Sequence, residues 1–335
     1  RVHLDRFVRE VVRQGHRVRL WRGEHPLAGA GAAHAPARAW RLLRSDVHYV
    51  RIAGPGIPSV VERLSRLPCR GLRPGAIRVW EFNSAPRNGQ YLGWSAGGIA
   101  RTVEALRGYA RQGDRAVVLS EAMESYVRQE LGFTRILRSR CGAQIPPRTS
   151  EATAGPGLRV VWAGSLFGWN RLDLLVGAAR IVLERGYGDI TFEIIGGWGG
   201  DPGGLPANVT YRPALPYPEL SERLACADVG VCVYAEGPAD DSSPMKLGDY
   251  LAHGLAVLST PHPESMLILA EARQPGNILP RDERAWAERL IELRRDPALL
   301  AAHKASGLEL ARTKYEWSGV VRQILHFIDV ERRRV

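Results

Sequence analysis

Two doubly wound α/β domains, each a parallel sheet with helices on both faces, are predicted by three features of the chain. Apolar stretches with helical spacing alternate with short runs of strand-forming residues along nearly the whole sequence. The tract GAQIPPRTSEATAGPG (142–157), rich in Pro, Gly, Ser and Thr, interrupts that alternation once, and it restarts beyond. The length of 335 residues suits two domains of ordinary size, each able to bury its own core. The expected division is a first domain over 1–145, a linker over 146–157, a second domain over 158–316 and a last helix over 317–335, free to cross back to the first domain.

The chain opens on a helix with Leu4, Phe7, Val8, Val11 and Val12 on one side, ended by Gly15-His16. Residues 17–21 read as a strand. A helix that feeds a parallel strand itself follows a strand, so a first strand and its loop are expected upstream of Arg1. Next come a helix near 36–44, the strand VHYVRI (47–52), a helix near 58–67 and the strand IRVWEF (77–82). A helix near 96–111, the strand RAVVLS (115–120) and a helix near 121–131 finish the first domain. In the second, LRVVWAG (158–164) leads to a helix near 171–185, and TFEIIG (191–196) ends in GGWGGDPGG. NVTYR (208–212), a helix near 217–226 and VGVCVY (229–234) precede the stretch SSPMKLGDYLAHGLAVLST (242–260), read as helix then strand. Two helices within 282–313 and one near 317–329 complete the chain.

Hydrophobic content of 45% with 24% charged residues is that of a globular protein. No apolar run approaches the roughly 18 residues that would cross a bilayer. Cys69, Cys141, Cys226 and Cys232 lack metal-ligand spacing, and Cys226 and Cys232 read as small core residues; this favours a reducing, cytoplasmic setting. Charge is unevenly shared: residues 1–150 hold 26 Arg and no Lys against 11 acidic residues, while residues 151–335 hold 20 basic and 24 acidic residues. A basic half suits an anionic partner, although a general preference for arginine explains it equally well.

Open parallel sheets bind ligands beyond the carboxyl ends of their strands. Two loops of the second domain leave such ends and start helices, Gly164 to Asn170 and Glu236 to Ser243. In the second, Ser242 or Ser243 is expected to cap the helix and Pro244 to fit its first turn. The amides there and the positive end of the helix dipole make an anion site, to which Lys246 adds a full charge. Asp249 lies five residues beyond Pro244, about 7 Å of helix rise, too deep for phosphate but suited to the diol of a ribose. Asp241, eight residues before Asp249, is placed to reach a second sugar beyond the phosphates. The ligand implied is a nucleoside diphosphate sugar. Lys246 and Asp249 also have the spacing of a surface ion pair worth a few tenths of a kcal/mol. Asp240-Asp241 lack the spacing of a metal-binding acidic pair, the histidines are scattered, and no metal is expected.

Asp241 and the stretch SSPMKLGDYLAHGLAVLST that follows it resemble the signature of retaining glycosyltransferases of the GT-B fold, family 4, also called group 1. In that family a loop acid, a Pro-x-Lys-x-x-Glu-Tyr helix and an Ala-x-Gly-x-Pro-Val-Val turn occur in this order, with two glutamates where Asp241 and Asp249 stand. The likeness extends through RQGHRVRL, VWEFNSAP (79–86), AVVLSEAMESYV (116–127), VVWAGSLFGWNRLDLLVGAA (160–179) and TKYEWSGVVRQI (313–324). It implies two Rossmann-like domains, transfer without a metal or other cofactor, a donor bound mainly by the second domain and an acceptor mainly by the first. Asp249 would then hold the ribose and Asp241 the transferred sugar. Lys246 and the backbone of Ser242, Ser243, Pro244 and Met245 would lie near the phosphates, with Gly164 beside them.

Two departures stand out. Where the family usually has Arg and Lys, this chain has Ser165 and Asn170, and Arg171 would have to reach back to replace them. Loss of those cations makes a non-catalytic sugar-nucleotide binder the main alternative, with a sugar-nucleotide epimerase of the same fold as another. Glu81 and Asn83, at the end of a first-domain strand, suit the acceptor side or a structural turn. The basic half fits a glycan or lipid-linked acceptor at an anionic inner membrane face, and ARAWRLLR (37–44) has the composition of an interfacial helix or an ordinary solvated one. No groove-reading motif points to nucleic acid.

Overall fold

A computed structural model describes residues 2–18, 45–52, 76–147, 157–165, 169–197, 204–237 and 240–334. The expected helices near 36–44 and 58–67, Cys69, residues 19–21 of the expected strand and most of the linker lie outside the described residues. The chain forms two compact units, one of His3–Arg140 with Val320–Val335 and one of Cys141–Gly319.

The first unit holds α1 (Val2–Arg13), β1 (Val47–Ile52), β2 (Ile77–Phe82), α2 (Ala96–Arg111), β3 (Arg115–Val118), α3 (Glu121–Gln129), β4 (Arg135–Arg138) and most of the last helix, α10 (Trp317–Arg333). Its four strands are parallel in the order β1-β2-β3-β4. Alternate residues of β2 serve opposite faces, as the strand pleat requires. Trp80 and Phe82 pack with Leu106 and Tyr109 of α2 and Met123 and Val127 of α3. Ile77 and Val79 turn the other way and meet Val320, Ile324 and Ile328 of α10. Strand β4 was not expected; only Ile136 and Leu137 are apolar within it, too few to show a period. The 3-10 turn Pro86–Leu92 was also missed.

The second unit contains β5 (Leu158–Ser165), α4 (Leu172–Glu184), β6 (Ile190–Gly197), β7 (Val209–Arg212), α5 (Tyr217–Ala225), β8 (Val229–Cys232), α6 (Met245–Ala252), β9 (Ala256–Ser259), α7 (Pro263–Glu271), α8 (Glu283–Arg295) and α9 (Pro297–Lys314). Its five strands are parallel in the order β7-β6-β5-β8-β9. One face is closed by α4 and α8 over Val160, Trp162, Ile194 and Val231; the other by α6, α7 and α9 over Val161, Ala163 and Val257. Helix α7 escapes a periodicity reading because Met266 and Leu267 are exposed, which blurs its apolar face. Strand β8 ends at Cys232 rather than 234, since the backbone beyond it pairs with the loop after β5. Cys232 is buried as expected, whereas Cys226 is exposed at the end of α5.

Candidate functional site

The order β7-β6-β5-β8-β9 reverses direction between β5 and β8, because the chain moves outward from β5 on one side and resumes at β8 on the other. Such a switch point opens a crevice at the carboxyl ends of the strands. The two loops leaving those ends are stitched together by backbone bonds, Arg171 N–H to Val233 O at 3.1 Å and Ala235 N–H to Trp169 O at 2.7 Å.

Helix α6 is fastened over this point by its aromatic residue. The Tyr250 hydroxyl accepts from Ala163 N–H at 2.8 Å, and a Cβ at Gly230 would stand 2.4 Å from the Tyr250 ring, so only glycine lets the ring lie on β8. Pro244 occupies the N-cap position with no side-chain capping bond, and Met245 begins the helix. This corrects the expectation that Ser242 or Ser243 caps the helix and that Pro244 lies inside it. Proline has no side-chain acceptor to offer, so the N-cap residue itself leaves the first-turn amides without a cap.

Lys246 does not pair with Asp249. As a residue Lys246 is half-buried, yet its ammonium lies 4.2 Å from the centre of the Trp162 ring and 5.7 Å from that of Tyr234. A Cβ on Gly164 would approach Lys246 Nζ to 2.9 Å, so the glycine makes room for the lysine at the end of β5. Among the described residues no carboxylate or hydrogen-bond acceptor partners this ammonium. Burial pushes its pKa down from 10.5 to about 8. The surface ion pair that the spacing also allowed is therefore not formed.

Asp249 is half-buried, with the Tyr217 hydroxyl 3.5 Å from its Oδ1. One turn further, His253 Nδ1 lies 2.7 Å from Asp249 O and His253 Nε2 lies 2.7 Å from Ser221 Oγ. Tyr217 and Ser221, one turn apart on α5, thus engage Asp249 and His253, one turn apart on α6. Tyr217, Ser221 and His253 were not singled out from the sequence. Matching i, i+4 polar positions on α5 and α6 were the only available signal, and nothing local says that the two helices touch. Asp241 is buried in the loop before α6, while Ser242, Ser243 and Met245 are half-buried.

Ser165 is exposed at the end of β5, and Asn170 Nδ2 donates to its carbonyl at 3.1 Å. Arg171 does not reach back to the expected phosphate position. Its guanidinium grips Asp173, with Nη2 at 2.7 Å from Oδ2, and the carboxylate raises the arginine pKa further. The nearby cationic positions are thus filled by a polar amide and an already paired arginine. In the first unit, Glu81 meets Arg51 at 3.4 Å and Asn83 is half-buried just beyond β2. Among the described residues no group of three His, Cys, Asp or Glu side chains could hold a metal ion, and no helix is long and apolar enough to cross a membrane.

Residues 157–296 match the family model described as glycosyl transferases group 1. That span covers the whole five-stranded sheet and the helix-mouth residues. Solved structures share the architecture. TarM is 14% identical with a TM-score of 0.63, over 87% of this chain and 57% of that one. The pneumococcal O-GlcNAc transferase GtfA is 15% identical with a TM-score of 0.63, over 88% of this chain and 59% of that one. WaaG, a glycosyltransferase involved in lipopolysaccharide biosynthesis, is 14% identical with a TM-score of 0.64, over 98% of this chain and 95% of that one. The chain thus spans under three-fifths of the length of the first two. No protein of curated function matches the sequence. Together these likenesses show an α/β fold of the GT-B type, with two Rossmann-like sheets.

Proposed function

We propose that this chain transfers a sugar from a nucleoside diphosphate sugar to an acceptor, with retention of configuration and without a metal ion. The observation that carries the reading is the Lys246 ammonium, held at the switch point of the second sheet with no anionic partner among the described residues. A diphosphate would supply that partner, aided by the positive end of the helix that begins after Pro244. Asp249, one turn deeper, would accept from the ribose hydroxyls, and Asp241 would meet the transferred sugar. Gly164 and Ser165 would border the phosphates, and Glu81 and Asn83 would line the acceptor side. The structure of GtfA contains UDP and GlcNAc, which is the ligand class proposed here.

In the proposed reaction the acceptor hydroxyl oxygen bonds to the sugar's anomeric carbon as the carbon–oxygen bond to the diphosphate breaks. The leaving phosphate oxygen takes the acceptor's proton on the same face, so configuration is kept. Lys246 and the helix amides stabilise the charge that grows on that oxygen, and the remaining contacts hold the partners in register. A glycan or lipid-linked acceptor suits the arginine-rich first half, and an anionic membrane face is its natural place of action.

A binder without catalysis is favoured by one set of contacts: Asn170 is tied to Ser165, and Arg171 to Asp173, so neither position gives Lys246 the help of a second unpaired cation. Thermal shift with UDP-, GDP- and ADP-glucose tests the shared binding step. A shift with at least one is expected, and none would sink both readings. Slow donor hydrolysis that vanishes in Asp249→Ala and Lys246→Ala would separate the enzyme from the binder.

A further inference from the structure

We propose that the rings of Trp162 and Tyr234 position Lys246 without a counter-ion, and that a nucleoside diphosphate entering this site brings a proton from solvent onto the lysine amine. The inference rests on the donor reading and adds to it how the site acquires its charge.

The geometry is that of an ammonium with attraction but no compensation. The indole face, 4.2 Å away, offers a cation–π contact. Taking an ammonium partly out of water carries a penalty that the rings offset only in part. The titratable groups shown against Lys246 are Cys232 on β8 and Tyr234 just beyond it, while Tyr250 on its own helix turns its hydroxyl to Ala163 N–H. Burial pushes the Cys232 thiol up to about 11 and raises both phenols well above their usual range, so all three are neutral near pH 8 and none supplies a negative charge. The Trp162 indole Nε1, fully buried, also has no hydrogen-bond partner among the described residues. The ammonium beside the end of β5 thus lacks an acceptor, and phosphate oxygens supply both acceptor and charge.

With an amine pKa near 8, an unliganded site is partly uncharged in mildly alkaline solution. A phosphate raises that pKa, so binding takes up protons there, and by linkage affinity falls about tenfold per pH unit above the free amine's pKa. Protonation of the nucleotide's own phosphate plays no part at such pH.

Titration calorimetry on the intact chain with UDP, GDP and ADP, in two buffers of different ionisation heat, measures this directly. Uptake of about half a proton per nucleotide is expected near pH 8, approaching one at roughly pH 9.5. Lys246→Arg should bind with no uptake, because guanidinium stays charged throughout. Trp162→Phe, with a weaker ring face, should move the midpoint of uptake down by a few tenths of a pH unit. Nucleotide binding with the same heat in both buffers would overturn the proposal and leave the donor reading standing, as would uptake that persists in Lys246→Arg. Binding of none of the three would remove both.

Discussion

In the first unit, Arg78 Nε lies 2.7 Å from the Asp114 carboxylate, to which Trp80 also donates at 2.7 Å. Arg115 and Arg135 meet Glu331 of α10 at 3.3 and 3.4 Å. In the second unit, the lysine at the switch point rests on an indole with no carboxylate beside it. Paired buried charges tie elements together across long stretches of sequence, Arg115 and Glu331 being 216 residues apart. One without a counter-ion makes no such tie and costs stability, which agrees with the phosphate partner proposed for it. The contrast follows position rather than unit. Just before β8, at the amino end of that strand, Asp228 takes bonds from Arg159 at 3.1 Å and Lys304 at 3.0 Å, as thoroughly paired as any charge in the first unit.

Three substitutions sharpen or break this comparison. Glu331→Ala should be the most damaging, at about 3–5 kcal/mol, because it strands Arg115 in a buried site. Denaturant unfolding measures it, and a loss below about 1 kcal/mol would mean that the arginine finds water instead. Asp228→Asn should cost less, about 1–3 kcal/mol, since its partners are partly exposed. Arg159 and Lys304 hold the Asp228 carboxyl below its usual range against the opposing effect of burial. Its contribution is therefore present above the ordinary carboxylate pKa and lost as pH falls through the lowered folded value. The wild type should lose stability in that acid window more steeply than the variant.

Lys246→Met should have the smallest effect and the opposite sign. The folded amine, with its pKa near 8, binds fewer protons than the unfolded one near 10.5, so wild-type stability falls as pH drops through that interval and stays reduced below it. Methionine removes the penalty. A gain of about 1–2 kcal/mol at neutral pH is expected, shrinking toward zero as pH approaches that of an ordinary lysine. Equal or lower stability at neutral pH would show that the ammonium is compensated after all, and the contrast would fail.

Much of the fold was legible because its signals are local. Val79, Trp80 and Phe82 sit close together within one strand, and Val320, Ile324 and Ile328 repeat at helical spacing within one helix. Where the pattern is weak, the reading failed: β4 has two apolar residues, and α7 exposes Met266 and Leu267. Of the candidate site, Lys246 and Asp249 could be put on one helix start from their spacing, and Gly164 at a strand end. Trp162 looked like any residue of a buried strand, and Tyr217, Ser221 and His253 looked like ordinary helix polars. Arg171 carried the right charge at nearly the right place, yet a carboxylate two residues away claims it.

By itself the sequence determined the alternating α/β pattern, and a helix mouth bearing a lysine with an aspartate one turn deeper. These depend on residues within a few positions of one another. Only the tertiary structure decided that the lysine turns onto Trp162 rather than toward Asp249, because that choice depends on a strand 84 residues earlier and on a glycine that leaves room beside it.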